Sequence, residues 1–250
     1  MTEKGLSPRQ LILDFPTHPA FTFSNFVVSD GSRFAFDAAR RICSSQPTGY
    51  HSLYLYGDKN LGKTHLLMSI GNHVAEHLPG QKVLYIHGPD FFRKVGEGDP
   101  LEIHETVTRL LDVDFFLLDD VDGICGKPAA QEKLYHIYNT LAEKEKKAVF
   151  TGHARPENLT GTEGYLKSRL QWGMTAEILP IDDATTAKII TKLGKDVGLA
   201  IPEKIIDYLL TRIPRDFLSI KNTVVKLNRE SYVQKKKVTL SLAKAALNLP

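Results

Sequence analysis

Sulfur chemistry is almost absent from this sequence. Cys43 and Cys125 are the only two cysteines, with no CxxC pair and no disulfide framework, which fits a reducing cytoplasm and two buried small residues. Nowhere do apolar residues continue for the ~20 positions that a membrane-spanning helix needs. Met1 to Gln10 is polar and lacks the apolar core of a signal peptide. No internal repeat and no low-complexity segment occurs. Nor does one sign of charge dominate, since the formal net charge is +3 over 250 residues. That charge is unevenly spread: residues 201–250 carry ten Lys or Arg against four Asp or Glu, so the last fifth is +6 and the rest −3. A hydrophobic content of 42% with a mean hydropathy of −0.20 is that of a soluble protein with a sizeable core.

One stretch stands out. Gly57-Asp58-Lys59-Asn60-Leu61-Gly62-Lys63-Thr64 fits G-x-x-x-x-G-K-[ST]. Leu53 to Tyr56 before it reads as a buried strand, and Leu66, Leu67, Ile70, Val74 and Leu78 after it recur at helical spacing. Glycines let such a loop curl until several N–H groups point inward, while the helix N-terminus adds partial positive charge. Lys63 is then expected to reach the β- and γ-phosphates and Thr64 to offer its hydroxyl to Mg²⁺. The competing reading is a Gly-rich strand–helix turn that matches by chance. The pattern in its context points to a nucleoside triphosphate or diphosphate as ligand.

Four more short apolar runs follow the strand–helix alternation of an α/β fold. They are Val83 to Ile86, Phe115 to Leu118, Ala148 to Thr151 and a last strand near Ala176 to Ile181, with helices expected at 32–43, in the run up to Leu111, and at 131–145. Continuous apolar strands are those of a parallel sheet covered on both faces, whose ligands sit at the strands' carboxyl ends. Phe115-Phe116-Leu117-Leu118 ends there in Asp119 and Asp120. Asp119 is assigned to water-mediated Mg²⁺ coordination and Asp120 to polarising an attacking water, the alternative being two solvated aspartates that open a turn. After residue 182 only helical patterns remain, at 183–198, 202–212, 216–232 and 240–247. The expectation is therefore a flexible arm over 1–17, an α/β nucleotide-binding domain over 18–182 and a small helical lid over 183–250.

The arm carries Gln10-Leu11-Ile12-Leu13-Asp14-Phe15, whose Leu11, Leu13 and Phe15 need a surface to dock on. That surface is either the protein's own sheet edge or a partner's pocket that takes an extended peptide.

Together these motifs resemble the AAA+ P-loop NTPase module of the DnaA replication-initiator family, particularly its short Hda-type regulatory form. Leu61 to Leu67 with Gly71-Asn72 resembles the Walker A region, and Leu117 to Asp120 resembles Walker B. Phe21 to Val28, including Phe26 and Val27, resembles the entry segment beside the adenine, with His65 close behind the loop. Ser168-Arg169 with Trp172-Gly173 resembles the segment that carries the arginine finger. Gln10 to Phe15 resembles the peptide by which Hda-type proteins hold the polymerase sliding clamp. The resemblance covers roughly residues 21–247.

It implies a nucleotide-binding regulator of replication initiation, with DnaA and the sliding clamp (the DNA polymerase III beta subunit) as partners. A helicase loader or remodeller and an inert nucleotide-bound adaptor remain open, as does homo-oligomerisation. No membrane partner is expected. The chain stops after the lid pattern, so sequence-specific origin binding is not expected, although the basic lid with Lys235-Lys236-Lys237 could add weak, salt-sensitive DNA contacts.

Two positions depart from the family pattern. His153 stands where an acidic or amide sensor is usual, and could still bond the attacking water or γ-phosphate. Leu218 stands where a nucleotide-contacting arginine is expected, with Arg215 and Lys221 one helical turn away. His73-Val74-Ala75-Glu76-His77 spells a zinc-peptidase pattern but reads as exposed helix surface.

Overall fold

The computed structural model describes residues 21–44 and 49–248. The arm motif Gln10, Leu11, Leu13 and Phe15 lies outside the described residues. The chain divides into two compact units. Among the described residues the first comprises 21–26, 33–44, 49–58 and 62–178, and the second 27–32, 59–61 and 179–248.

In the first unit five strands form one parallel sheet in the order β2-β3-β4-β1-β5. They are β1 (Ser52–Tyr56), β2 (Val83–His87), β3 (Phe115–Asp119), β4 (Lys147–Gly152) and β5 (Met174–Glu177). Strand side chains alternate between faces. Tyr54, Tyr56, Leu84, Ile86, Phe116, Leu118 and Phe150 form one buried cluster with residues of α3 (Gly88–Gly96), α4 (Pro100–Leu111), α5 (Pro128–Glu143) and α6 (Gly164–Trp172). Their strand neighbours Leu53, Leu55, Leu117 and Val149 are equally buried, on the side where α1 (Arg33–Ile42) and α2 (Lys63–His77) pack. This two-sided burial is why the strands read as unbroken apolar runs.

Two helices were hidden from the sequence. The stretch after β2, which opens with Gly88-Pro89 and carries no assigned helix in the sequence, forms α3. Proline is tolerated at the first helical position, where its missing N–H would have no partner, and Phe91 and Val95 are buried. Helix α6 buries only Leu166 and Leu170, too few to mark a period.

The second unit comprises α7 (Asp183–Asp196), α8 (Glu203–Leu210), α9 (Phe217–Gln234) and α10 (Leu240–Leu247). Ile189, Ile190, Leu209, Ile220, Val224, Leu227 and Leu242 form its core, and Val27 packs against it. Three starts are capped by side chains: Asp182 accepts from the Thr185 N–H, Asp216 from Ser219 and Thr239 from Leu242, each worth about 0.5–2 kcal/mol. Among the described residues no helix is long and apolar enough to cross a membrane.

Candidate nucleotide site and catalytic carboxylates

The loop between β1 and α2 has the backbone its sequence calls for. Gly57, Asn60 and Gly62 all take positive φ, at 147°, 64° and 100°. At Gly57 and Gly62 no side chain fits: a Cβ on Gly57 would come within 2.3 Å of the Ile178 carbonyl, and one on Gly62 within 2.8 Å of the Phe26 ring. Lys63 opens α2 and is buried. Its Nζ donates to the carbonyls of Gly57 and Asp58, both at 2.7 Å. Burial pulls its pKa below the usual lysine value, against the opposing pull of Asp120, Asp122, Asp119 and Asp58.

Thr64 donates to Asp119 Oδ2 at 2.9 Å. A threonine hydroxyl beside a carboxylate at the end of β3 is a hard-oxygen donor set of the kind Mg²⁺ takes. Asp119 is almost fully buried and accepts also from Thr151 Oγ1 at 2.6 Å and Tyr85 Oη at 3.2 Å. Burial and the Asp119 charge push the Tyr85 phenol above the normal tyrosine range, so Tyr85 stays a neutral donor.

Asp120 turns away from Asp119. Its backbone is left-handed, at φ 59° and ψ 62°, and its N–H donates to Thr151 Oγ1 at 2.7 Å. Its carboxylate faces two imidazoles: Oδ1 is 3.2 Å from His153 Nδ1, and Oδ2 is 3.7 Å from His87 Nε2. His153 Nδ1 also lies 3.3 Å from Asp122 Oδ2, which accepts the His153 backbone N–H at 2.9 Å. His153 thus sits between two carboxylates. Reading the sequence alone did not single out Tyr85, His87, Asp122 or Thr151, because the register of β2, β3 and β4 brings them together from distant segments.

Among the segment assigned to the adenine, Phe26 stacks on Phe36 at 5.7 Å and meets His65 edge-on at 5.2 Å. His65 Nε2 bonds to the Thr22 carbonyl at 3.0 Å, and burial lowers its pKa from 6.5. Val27 belongs to the helical unit instead. Lys59 and Leu61 complete the loop, with Leu61 buried and Lys59 exposed.

Arg169 lies on α6, elsewhere in the same unit. Its Nε donates to Asn139 Oδ1 at 2.6 Å, and its guanidinium lies over the rings of Tyr135 (5.5 Å) and Trp172 (4.6 Å). Trp172 is 67% exposed. In the helical unit, Arg215 is engaged with Asp183 at 2.6 Å and with the Leu210 carbonyl, while Leu218 and Lys221 are exposed.

A parallel sheet in this strand order, with a P-loop after β1 and paired aspartates at the end of β3, defines a P-loop NTPase of the AAA+ class. The chain belongs to the bacterial DnaA ATPase-domain family, whose description "Bacterial DnaA ATPAse domain" matches residues 17–177. Residues 183–247 match "Hda, lid domain". The chromosomal replication initiator protein DnaA of Wolinella succinogenes is 35% identical over 237 residues, 92% of this chain and 52% of that protein. The chain thus spans about half the length of that relative. Domain III of the Thermotoga maritima initiator DnaA superposes with a TM-score of 0.80 at 32% identity, covering 93% of this chain and 98% of that one. AMPPCP-bound DnaA from Aquifex aeolicus gives 0.77 at 31% identity, covering 84% and 65%.

Proposed function

We propose that this chain is a nucleotide-bound regulator of replication initiation, which docks on the sliding clamp and drives hydrolysis of ATP held by an initiator of its own family. The place of Arg169 carries the reading. Gly173, four residues on, packs against Ser52 so closely that a Cβ would fall within 2.0 Å of the serine Oγ. Ser52 opens β1 and Gly57 follows its end, about 16 Å away at roughly 3.3 Å per residue. Arg169 is therefore at the sheet end opposite its own P-loop. Among the described residues it pairs with no carboxylate, so its charge is available to a phosphate on another subunit. Phosphoryl transfer accumulates charge on the γ-phosphate oxygens, and an arginine supplied in trans stabilises it.

In this reading Gly57 to Thr64 cradles the phosphates of ADP or ATP, as the AMPPCP bound by the Aquifex relative suggests, and Phe26 and His65 lie towards the base. Thr64 and Asp119 would hold a Mg²⁺ ion, which would supply positive charge against the phosphate oxygens. Asp120 orients the attacking water and His153 supports it. Arg215 is committed to Asp183, and Leu218 stands where the family carries a nucleotide-contacting arginine. Intrinsic turnover is then slow, and the chain acts as a donor of catalysis. The arm would hold the clamp through Gln10, Leu11, Leu13 and Phe15. Lys235, Lys236 and Lys237 are exposed and would add weak DNA backbone contacts.

The test measures turnover of initiator-bound ATP with this protein, DNA-loaded clamp, or both. Stimulation should require both and should vanish in Arg169→Ala, while ADP and clamp binding persist. Full stimulation by Arg169→Ala, or none by the parent protein, refutes the reading in favour of a helicase loader.

A further inference from the structure

We infer that Asp120, Asp122 and His153 form a second cation site, distinct from Thr64 and Asp119, which takes a first-row divalent transition ion such as Zn²⁺ or Mn²⁺ in preference to Mg²⁺. One ligand atom from each residue lies within 4.8 Å of the others. The two closest separations, 3.2 Å from His153 Nδ1 to Asp120 Oδ1 and 3.3 Å to Asp122 Oδ2, are the spacing that ligands about 2.0–2.2 Å from one ion require. A neutral imidazole has one proton at most on this nitrogen and cannot serve two carboxylates from it. A cation between them serves all three.

Two further observations point the same way. Asp120 Oδ1 is buried at the atomic level and accepts no hydrogen bond among the described residues, although the side chain as a whole is 36% exposed. A buried carboxylate oxygen without a donor is costly unless a charge meets it. The ligands are also held in place before any ion arrives. The His153 N–H fixes Asp122 Oδ2, the Thr151 hydroxyl accepts from the Asp120 N–H, and Gly88 packs where a Cβ would strike the Asp120 carbonyl at 2.1 Å. The donor set decides the metal: an imidazole nitrogen with two carboxylates suits Zn²⁺ or Mn²⁺, whereas Mg²⁺ keeps to oxygen. Open coordination positions would be filled by water, and His87, 3.7 Å from Asp120 Oδ2, lies close enough to orient that carboxylate. An ion there would occupy lone pairs of Asp120 that a reacting water needs, so filling the site should slow any hydrolysis that uses Asp120. The inference holds whether or not the chain acts on an initiator.

The experiment titrates Zn²⁺, and Mn²⁺ as a paramagnetic probe, into the full chain with excess Mg²⁺ and ADP. One ion per chain should bind, with His153 the most strongly broadened imidazole resonance under Mn²⁺. His153→Ala and the near-isosteric Asp122→Asn should each weaken Zn²⁺ at least by the ~10–100-fold that even an outer-shell change costs, with cooperative thermal unfolding retained in Asp122→Asn. The competing site is His73 with His77, whose rings stack at 4.4 Å on α2. Binding that survives both variants but disappears in His73→Ala/His77→Ala overturns the assignment. So does the absence of Zn²⁺ binding in the presence of Mg²⁺.

Discussion

Thr64 donates its hydroxyl to Asp119 at 2.9 Å, joining the first turn of α2 to the end of β3 across 55 residues of chain. Both groups are those a Mg²⁺ ion would engage, so the pair is preassembled. Asp119→Asn should keep the fold while stripping the Mg²⁺ dependence from nucleotide affinity. Asp119→Ala should in addition lose about 1–3 kcal/mol of stability, because the Thr151 and Tyr85 hydroxyls lose a buried acceptor. Nucleotide titrations with and without Mg²⁺, paired with urea melts, separate the two effects.

Lys63 lies folded on the carbonyls of Gly57 and Asp58; in the proposed function it is the residue that would turn to phosphate. Lys63→Ala should bind neither ADP nor ATP. In the parent protein, ADP at 100 times its Kd raises the unfolding free energy by about 2.7 kcal/mol, and this increment should be absent from the variant. ADP should stabilise the parent at least as well as ATP. A hundredfold preference for ATP in calorimetry, with fast turnover, contradicts the proposed role of Leu218.

Gly62 combines a positive φ with a Phe26 ring in the way of any side chain. Gly62→Ala should cost about 1–3 kcal/mol and weaken nucleotide binding together with stability. A second change, Phe26→Leu, should restore part of the stability by clearing the contact. Thermal unfolding of the single and double variants reads this directly.

His65 supplies a pH dependence whose sign follows from its burial. Its pKa in the folded chain lies below the ordinary 6.5. Above pH 6.5 the imidazole is neutral in both states and contributes nothing to the pH slope. As pH falls below 6.5 the unfolded chain takes up the proton first, so stability declines until the folded pKa is passed. His65→Gln should flatten that part of the curve. An unchanged acid limb in the variant would assign the loss to other groups.

Burial raises the Cys43 thiol to about 12, which keeps it protonated and inert at neutral pH. Cys125 is partly exposed. Alkylation of the native protein should therefore mark Cys125 alone, with Cys43 reacting only after unfolding; mass spectrometry of the digested product decides.

The arm is tested by replacing Gln10, Leu13 and Phe15 together with Ala. Burying a Leu and a Phe contributes roughly 1.5–3 kcal/mol each, enough that the triple variant should no longer co-elute with the clamp. Nucleotide binding should be unchanged. Continued co-elution would place the docking surface elsewhere.

What the sequence reveals depends on how far apart the interacting parts lie. The phosphate loop was legible because consecutive residues build it and its glycines answer to local backbone strain. The strands were legible because burial on both faces leaves no polar alternation, and α10 was read at its actual bounds. The setting of Asp119 and Asp120 was not. Asp120 meets His87 and His153 only through the pairing of β2 with β3 and β3 with β4, and nothing near Asp120 in the chain announces either histidine. Asp122 was not singled out because its partner is the backbone N–H of His153, 31 residues on. Helix α6 was not read as a helix, since Tyr165 and Trp172 stay exposed; only its Ser168-Arg169 motif marked the segment.

Strand order has a consequence for synthesis on the ribosome. The strand that carries the phosphate loop, β1, is flanked by β4 and β5, whose pairing residues reach from Ala148 to Glu177. At about 5–20 residues per second, the loop at Gly57 emerges several seconds or more before its strand has either neighbour. Until then Leu53 to Tyr56 is an unpaired apolar edge, and the nascent chain has no framework to hold a nucleotide. Ligand can rescue this protein only once β5 has left the exit tunnel, so any chaperone dependence should fall in the interval before it.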